Sequence, residues 1–328
     1  MIRARIPACV MLFFLGLVTD AFAEKIRTAI PQANWNYLSV VLAEEKGFFR
    51  DEGLENETIA LGGPTAIAAL VSGGVDFSGA GGSGMRAALK GAPFKVIMFQ
   101  TEKVTWYLVV SPEIKQIAEL RGKRLGVPGI GSTSDMMVTM LLERNGVPRN
   151  EITRINSGTS PANIIAAMKS GAIQAASLDT VTSVIAEKEG LKLMGFLGDI
   201  FPLPFQGFGV LERKLAENPQ QIKRWLRAMI RAVMFIRDHP EEAADVGIKR
   251  LRIKGVDRSV LLEGLKRYIQ ALPKGVPGRP SPEAVKNVLR YDVAEPMQIT
   301  EELQPGKFID FRLVEEVIKE LEAKGYGK

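Results

Sequence analysis

The sequence predicts an α/β protein of two similar lobes with a cleft between them. Three observations lead there. The first is an internal repeat. Residues 25–80 open with KIRTAIPQANWNYLSVVLAEEKGFF and close with ALGGPTAIAALVSGGVDFSGA, while residues 123–179 open with KRLGVPGIGSTSDMMVTMLLERNGV and close with NSGTSPANIIAAMKSGAIQAASLD. The offsets agree: 97 between Pro31 and Pro128, 99 between Gly47 and Gly146, and 98 between Gly73 and Gly171. Solenoid repeats run about 20–50 residues, so this spacing fits a duplicated lobe. The second is length, since 328 residues exceed one compact domain. The third is composition: 46% hydrophobic and 24% charged residues support real cores with an ordinary surface.

Each element has its own signal. Residues 26–30 form a short apolar strand ended by Pro31, and a helix follows from Asn36 with Leu38, Val41 and Leu42 on one face. Gly47 stops it. A second strand covers 57–61, and the turn Gly62-Gly63-Pro64-Thr65 opens a helix that buries Ile67, Leu70 and Val71. Strand 75–78 leads into a glycine-rich loop, 79–84, then helix 85–90 and strand 94–100. Residues 104–110 (VTWYLVV) are β-branched and aromatic, hence a strand. The second copy repeats the pattern through Gly146, Gly171 and 191–196, and 205–211 (FQGFGVL) is the strand that leaves it. The extended stretches 104–110 and 205–211 are expected to cross between lobes and to act as hinges. From Asn218 onward the pattern is helical: Ile222, Trp225, Leu226, Met229, Ile230, Val233 and Ile236 recur at helical spacing, and helices follow over 261–272, 282–289 and 313–321. Lacking strands of their own, these helices are expected to pack back on the first lobe. The expected division is therefore 1–23 as a leader, 24–107 with 209–328 as lobe I, and 108–208 as lobe II.

The leader reading rests on Arg3 and Arg5, the apolar run 8–18 (ACVMLFFLGLV), and Ala21-Phe22-Ala23 as a small-x-small cleavage signature. Eleven apolar residues fall short of the roughly 20 that span a bilayer. Cys9, the only cysteine, lies before the run and not at its end, where a lipid-bearing cysteine would stand. Cleavage after Ala23 leaves a chain without cysteine, so no disulfide, thiolate metal site or thiol nucleophile is expected. Export without disulfides suits a periplasm. Beyond the leader, 41 basic and 36 acidic residues leave a net charge of +5. The basic residues are scattered and accompany no nucleic-acid motif, so no nucleic-acid partner is expected.

Several stretches resemble a known family in order: LAEEKGFFRDEGL (42–54), AALVSGGVDFS (68–78), LRGKRLGVPGIGSTSD (120–135), ANIIAAMKSGAIQAASLD (162–179) and NPQQIKRWLRAMIRAVMFIRDHPEEA (218–243). The chain is identified as similar to the nitrate/sulfonate/taurine substrate-binding proteins of ABC transporters. That resemblance implies an α/β, two-lobed type II periplasmic-binding-protein-like fold, each lobe a mixed sheet flanked by helices, joined by two crossover strands. It also implies a soluble, exported protein, expected to be a monomer, that delivers a small solute to an inner-membrane permease with its ATPase. A sensory receptor for another membrane partner is the alternative that these residues leave open.

Ligands of open α/β sheets bind beyond the carboxyl ends of the strands. Here those positions are the turns at 32–37, 62–65, 78–84, 129–135, 157–161 and 179–182. Their free N–H groups and positive helix ends suit a carboxylate, sulfonate or phosphate. The candidate ligand-binding residues are Asn34, Trp35, Thr65, Ser83, Trp106, Ser132, Thr133, Ser134 and Asp179. Ser132, Thr133 and Ser134 offer hydroxyls beside backbone amides, and N-capping is the plainer role for the same residues. Trp35 is placed as an aromatic wall over the ligand, and Asp179 as an acceptor for an amino group or as a helix cap. On this reading, Ser132→Ala and Trp35→Ala should weaken binding without lowering the melting temperature. No cofactor and no metal are expected. His239, the only histidine, sits in an Asp-His-Pro helix end, so neither a triad nor a two-histidine metal site can be built. An enzyme on this fold of the pyrimidine-precursor synthase kind would need a histidine- and cysteine-rich site, and one of the porphobilinogen deaminase kind a cysteine for its cofactor; the chain beyond its leader has neither.

Overall fold

The structure, a computed structural model, describes residues 23–158, 160–251 and 256–327. The expected leader, Cys9 included, lies outside these residues except for Ala23. Ten strands form two five-stranded sheets. The first holds β1 (Glu24–Ile30), β2 (Leu54–Ala60), β3 (Phe77–Ser78), β4 (Phe94–Thr101) and β10 (Phe205–Leu211), in the order β2-β1-β3-β10-β4. The second holds β5 (Trp106–Val110), β6 (Arg124–Val127), β7 (Thr153–Asn156), β8 (Ala175–Asp179) and β9 (Lys192–Phe196), in the order β7-β6-β8-β5-β9.

The sheets have one plan. In the first, β1 runs parallel to β2 and β3, and β10 enters antiparallel between β3 and β4. In the second, β6 runs parallel to β7 and β8, and β5 enters antiparallel between β8 and β9. The internal repeat is thus a repeat of topology, with β5 and β10 as the strands that enter each sheet from outside its own copy. The turn glycines that set the sequence period share one backbone state: φ is 77° at Gly47, 76° at Gly146, 78° at Gly73 and 72° at Gly171. A side chain at such a left-handed position is strained, so each helix of both copies ends at a glycine for the same reason.

Four expectations need correction. Residues 106–110 and 205–211 are strands, yet each lies wholly in one sheet; the chain passes between sheets over 102–105 and 197–204. The expected boundaries at 107/108 and 208/209 therefore fall inside β5 and β10. Val71 is exposed, at 49%, because the buried face of the Gly63–Val71 helix is used up by Ala66, Ile67 and Leu70. The expected glycine-rich loop is largely helix, Gly81–Leu89. A Cβ at Gly81 would stand 2.5 Å from the Gly207 carbonyl oxygen of β10, so here the glycines serve close packing where loop flexibility was expected. Finally, the C-terminal helices do not all return to the first lobe. Pro219–Asp238 does, packing on Leu38–Glu45, but Arg258–Ile269 packs on Thr180–Lys188 of the second lobe. Arg267 and Glu187 join that contact at 2.6 Å.

The long amphipathic helix Pro219–Asp238 buries Trp225, which stacks on Phe77 with ring centroids 4.5 Å apart. Together with the buried rows of β1, β4 and β10 it forms the core of the first lobe. Among the described residues no helix is long and apolar enough to cross a membrane.

Candidate functional site

The strand-end turns of both lobes meet along one cleft. Its larger compartment encloses about 500 Å³, open mouth included, between Gln32, Tyr37, Gly63 and 79–83 of the first lobe and Ser132, Thr133 and Ser134 of the second. Trp106 of β5, Gln206 of β10 and Asp292 also line it. A smaller compartment of about 200 Å³ lies beside it, bounded by Asn34, Ser177, Asp179 and Thr182 among others. Gln32 and Trp106 line both, so the two adjoin.

Two helices start at the larger compartment, one from each lobe. Gly81–Leu89 begins without a side-chain cap, so its first-turn N–H groups stay available. Thr133–Arg144 is capped by Ser132, whose Oγ accepts from the Asp135 N–H at 3.3 Å. The loop before it is held by Asp135, a buried carboxylate that accepts from the Gly131 N–H at 2.8 Å and from Arg154 at 2.9 Å. Each helix start carries roughly half a positive charge. The compartment thus presents about one positive charge with no lysine or arginine among its described lining residues.

A buried ion pair ties the two helix starts together. Arg86, on the Gly81–Leu89 helix, binds the Asp292 carboxylate and donates to the Asp292 carbonyl at 2.7 Å. Its other terminal nitrogen donates to the Gly131 carbonyl of the second lobe at 2.9 Å. Thr133 Oγ1 donates to Asp292 Oδ2 at 3.0 Å. Burial pushes the Asp292 carboxyl up, opposed by the adjacent guanidinium and the Thr133 hydroxyl. Arg86 and Asp292 therefore neutralise each other, and neither leaves a free charge in the cleft.

The candidate residues separate clearly. Ser83, Trp106, Ser132, Thr133 and Ser134 line the larger compartment, and Asn34 and Asp179 the smaller. Asn34 caps a short helical turn through the Asn36 N–H and also donates to Gln32. Asp179 accepts from the N–H groups of Val181 and Thr182, each at 2.9 Å, and from the Thr182 hydroxyl at 3.0 Å. It is a helix cap. Desolvation pushes its carboxyl up. Two expectations fail. Trp35 is buried in the first lobe's core, where its ring sits 2.5 Å from the place a Cβ on Gly247 would occupy, and it lines neither compartment. The aromatic residues that line the cleft are Tyr37, Phe99, Trp106 and Phe205 instead. Thr65 is exposed on its helix and also lines neither compartment.

Arg86, Asp292 and Gln206 were not among the candidates. Arg86 and Asp292 are 206 residues apart, with no local signal to join them. Gln206 carried one: it is the single polar residue in the apolar run FQGFGVL. Its backbone is left-handed, φ 56°, which costs a side-chain-bearing residue about 1–2 kcal/mol.

The family model for NMT1/THI5-like proteins matches residues 34–243. The chain belongs to this family. This NMT1/THI5-like protein is 25% identical over 256 residues to a putative binding protein of Brucella abortus, a match spanning 76% of this chain and 79% of that one. It is 27% identical to a putative aliphatic sulfonates-binding protein of Bacillus subtilis, over 74% of each chain. It is also 26% identical to the 4-amino-5-hydroxymethyl-2-methylpyrimidine phosphate synthase of Candida albicans, over 64% of this chain and 67% of the synthase. Among solved structures, a Bordetella bronchiseptica protein superposes with a TM-score of 0.80 at 21% identity, covering 91% of this chain and 98% of that one. The alkanesulfonate-binding protein of Xanthomonas axonopodis pv. citri bound to MOPS superposes at 0.69 and 18% identity, covering 88% and 98%. The nitrate-binding protein of Synechocystis superposes at 0.70 and 16% identity, covering 92% and 90%. These superpositions show the two-lobed α/β fold of periplasmic binding proteins.

Proposed function

We propose that this protein is the solute-binding component of an ABC importer, taking a small organic or inorganic oxyanion into the cleft between its lobes. One observation carries the reading. Two helix N-termini, one from each lobe, converge on a compartment whose charged lining residue, Asp292, is already neutralised by Arg86 behind it. Backbone N–H groups at helix starts hold anions through their dipoles and their unused donors. About half a positive charge from each end matches a single negative charge, as in nitrate, a sulfonate or a carboxylate. Because each end belongs to a different lobe, the solute favours the arrangement in which both reach it. The names of the sulfonates- and nitrate-binding relatives support this class. Export to the periplasm behind a cleaved leader, a permease with its ATPase as partner and a monomeric state belong to the same proposal.

The cleft lining contains neither histidine nor cysteine among the described residues. His239 stands far along the chain at a helix junction, its ring 4.7 Å from that of Phe235. A binding role without chemistry is therefore preferred over a synthase-like activity. A thermal-shift screen over nitrate, alkyl and aryl sulfonates, aromatic carboxylates and pyrimidines tests the reading. A monoanion should raise the melting temperature in a concentration-dependent way, whereas stabilisation by uncharged pyrimidines alone would overturn it.

A further inference from the structure

Strand β10 is apolar and fully buried except for what Gln206 brings to it. Gln206 is 2% exposed, lines the larger compartment and holds a left-handed backbone inside a strand. Tyr268 Oη, buried on the Arg258–Ile269 helix, donates to Gln206 Oε1 at 2.8 Å. That leaves Nε2, which has no acceptor among the described residues. The residue opposite on β4 offers none: Gln100 gives its Oε1 to Ser39, and its own Nε2 is likewise without an acceptor. The indole Nε1 of Trp106, across the same compartment, is also an unpartnered donor. Backbone strain and an unused donor on one cleft residue point from structure to function. The Gly207 carbonyl lies against Gly81, so Gln206 stands beside the start of the Gly81–Leu89 helix.

Resting on the oxyanion reading above, we propose that Gln206 is the specificity-determining residue of the cleft. Its Nε2 donates to an oxygen of the bound oxyanion, and Tyr268 is the positioning residue that turns the nitrogen and not the oxygen toward the solute. A carboxamide facing the other way would set Oε1 against the same anion that the helix ends attract. The cleft then selects for a solute that presents acceptors only, and it disfavours one that presents a donor at this point.

The test is titration calorimetry of the full chain with nitrate, ethanesulfonate, benzenesulfonate and benzoate, the tightest of which is then used on variants. Gln206→Met should weaken binding about 10- to 100-fold, as for loss of a hydrogen bond to a charged group. Gln206→Gly relieves the strain but leaves a cavity and the Tyr268 hydroxyl without its acceptor, so affinity and melting temperature should both fall; the pH profile of the next variant is the readout that a packing role would not move. Gln206→Glu should bind far more weakly at pH 8 and recover toward pH 5, where a protonated carboxyl can donate again. The wild-type profile over the same range serves as baseline, since Asp292, paired with Arg86, and Tyr37 line the same compartment, Asp179 lines the adjoining one and Tyr268 touches Gln206. Tyr268→Phe should weaken binding less, and adding it to Gln206→Met should cost nothing further. Wild-type affinity in Gln206→Met and Gln206→Gly would overturn the proposal and leave the oxyanion reading standing. So would a Gln206→Glu variant without recovery at low pH. A wild-type protein that binds none of the four anions would overturn both.

Discussion

Trp35 and Trp106 show how much turns on the direction of one side chain. Trp35 is buried in the first lobe's core, so Trp35→Ala should destabilise the fold by about 3–5 kcal/mol. Affinity should stay within a few-fold of wild type wherever the variant is folded; a large affinity loss at intact stability would return Trp35 to the cleft. Ser132 has two roles, since it caps the Thr133–Arg144 helix and lines the cleft. Ser132→Ala should therefore lower stability by about 0.5–2 kcal/mol as well as affinity, where the sequence alone predicted affinity only. Chemical denaturation beside calorimetry separates the two effects. Asp179 gives a prediction in pH. Its folded-state pKa is raised by desolvation, so its contribution to stability is greatest below the ordinary carboxylate range, near 3.9, and is lost as pH rises through the raised value. Asp179→Asn keeps a capping oxygen and removes the charge. Its stability relative to wild type should improve as pH rises from about 3 to 8, and a gap that stays flat over that range would show that burial of the charge is not the controlling term.

Among the elements, the strands and the turns that end them were readable because they obey local rules. The left-handed glycines at Gly47, Gly73, Gly146 and Gly171 stop their helices whatever packs nearby. The start of the Gly81–Leu89 helix was not readable, because its glycines answer to distant neighbours. A Cβ on Gly82 would collide with both Asp292 Oδ2 and Thr133 Oγ1, contacts that exist only once the C-terminal segment and the second lobe are in place. The same holds for Arg86 and Asp292, which tertiary structure joins across 206 residues. Gly82→Ala should accordingly hold the two helix starts apart. Small-angle scattering of this variant should show a larger radius of gyration than wild type at saturating solute, together with weakened binding. Identical dimensions would mean that the local backbone absorbs the methyl group.

On the scale of the molecule, two passages and one helix contact join the lobes. The first passage is anchored by Thr105, whose hydroxyl donates to Asn36 Oδ1 at 2.9 Å, and is tied to the second by Lys103 and Asp199 at 2.9 Å. The Arg258–Ile269 helix holds the second lobe through Thr180–Lys188. Arg86, Asp292 and Thr133 join the lobes at the cleft as well. On the proposed function, a solute that contacts both helix starts is expected to favour the arrangement in which both reach it, by its differential affinity. The central claim is that the solute binds beside Trp106, and fluorescence titration of the full chain with the anion selected by thermal shift tests it most directly. Trp35 and Trp225 are buried in the core, whereas Trp106 lines both compartments. A saturable change in emission that disappears in Trp106→Phe, while calorimetry still detects binding, is the predicted result. A change that persists undiminished in Trp106→Phe would place the solute elsewhere and contradict the account.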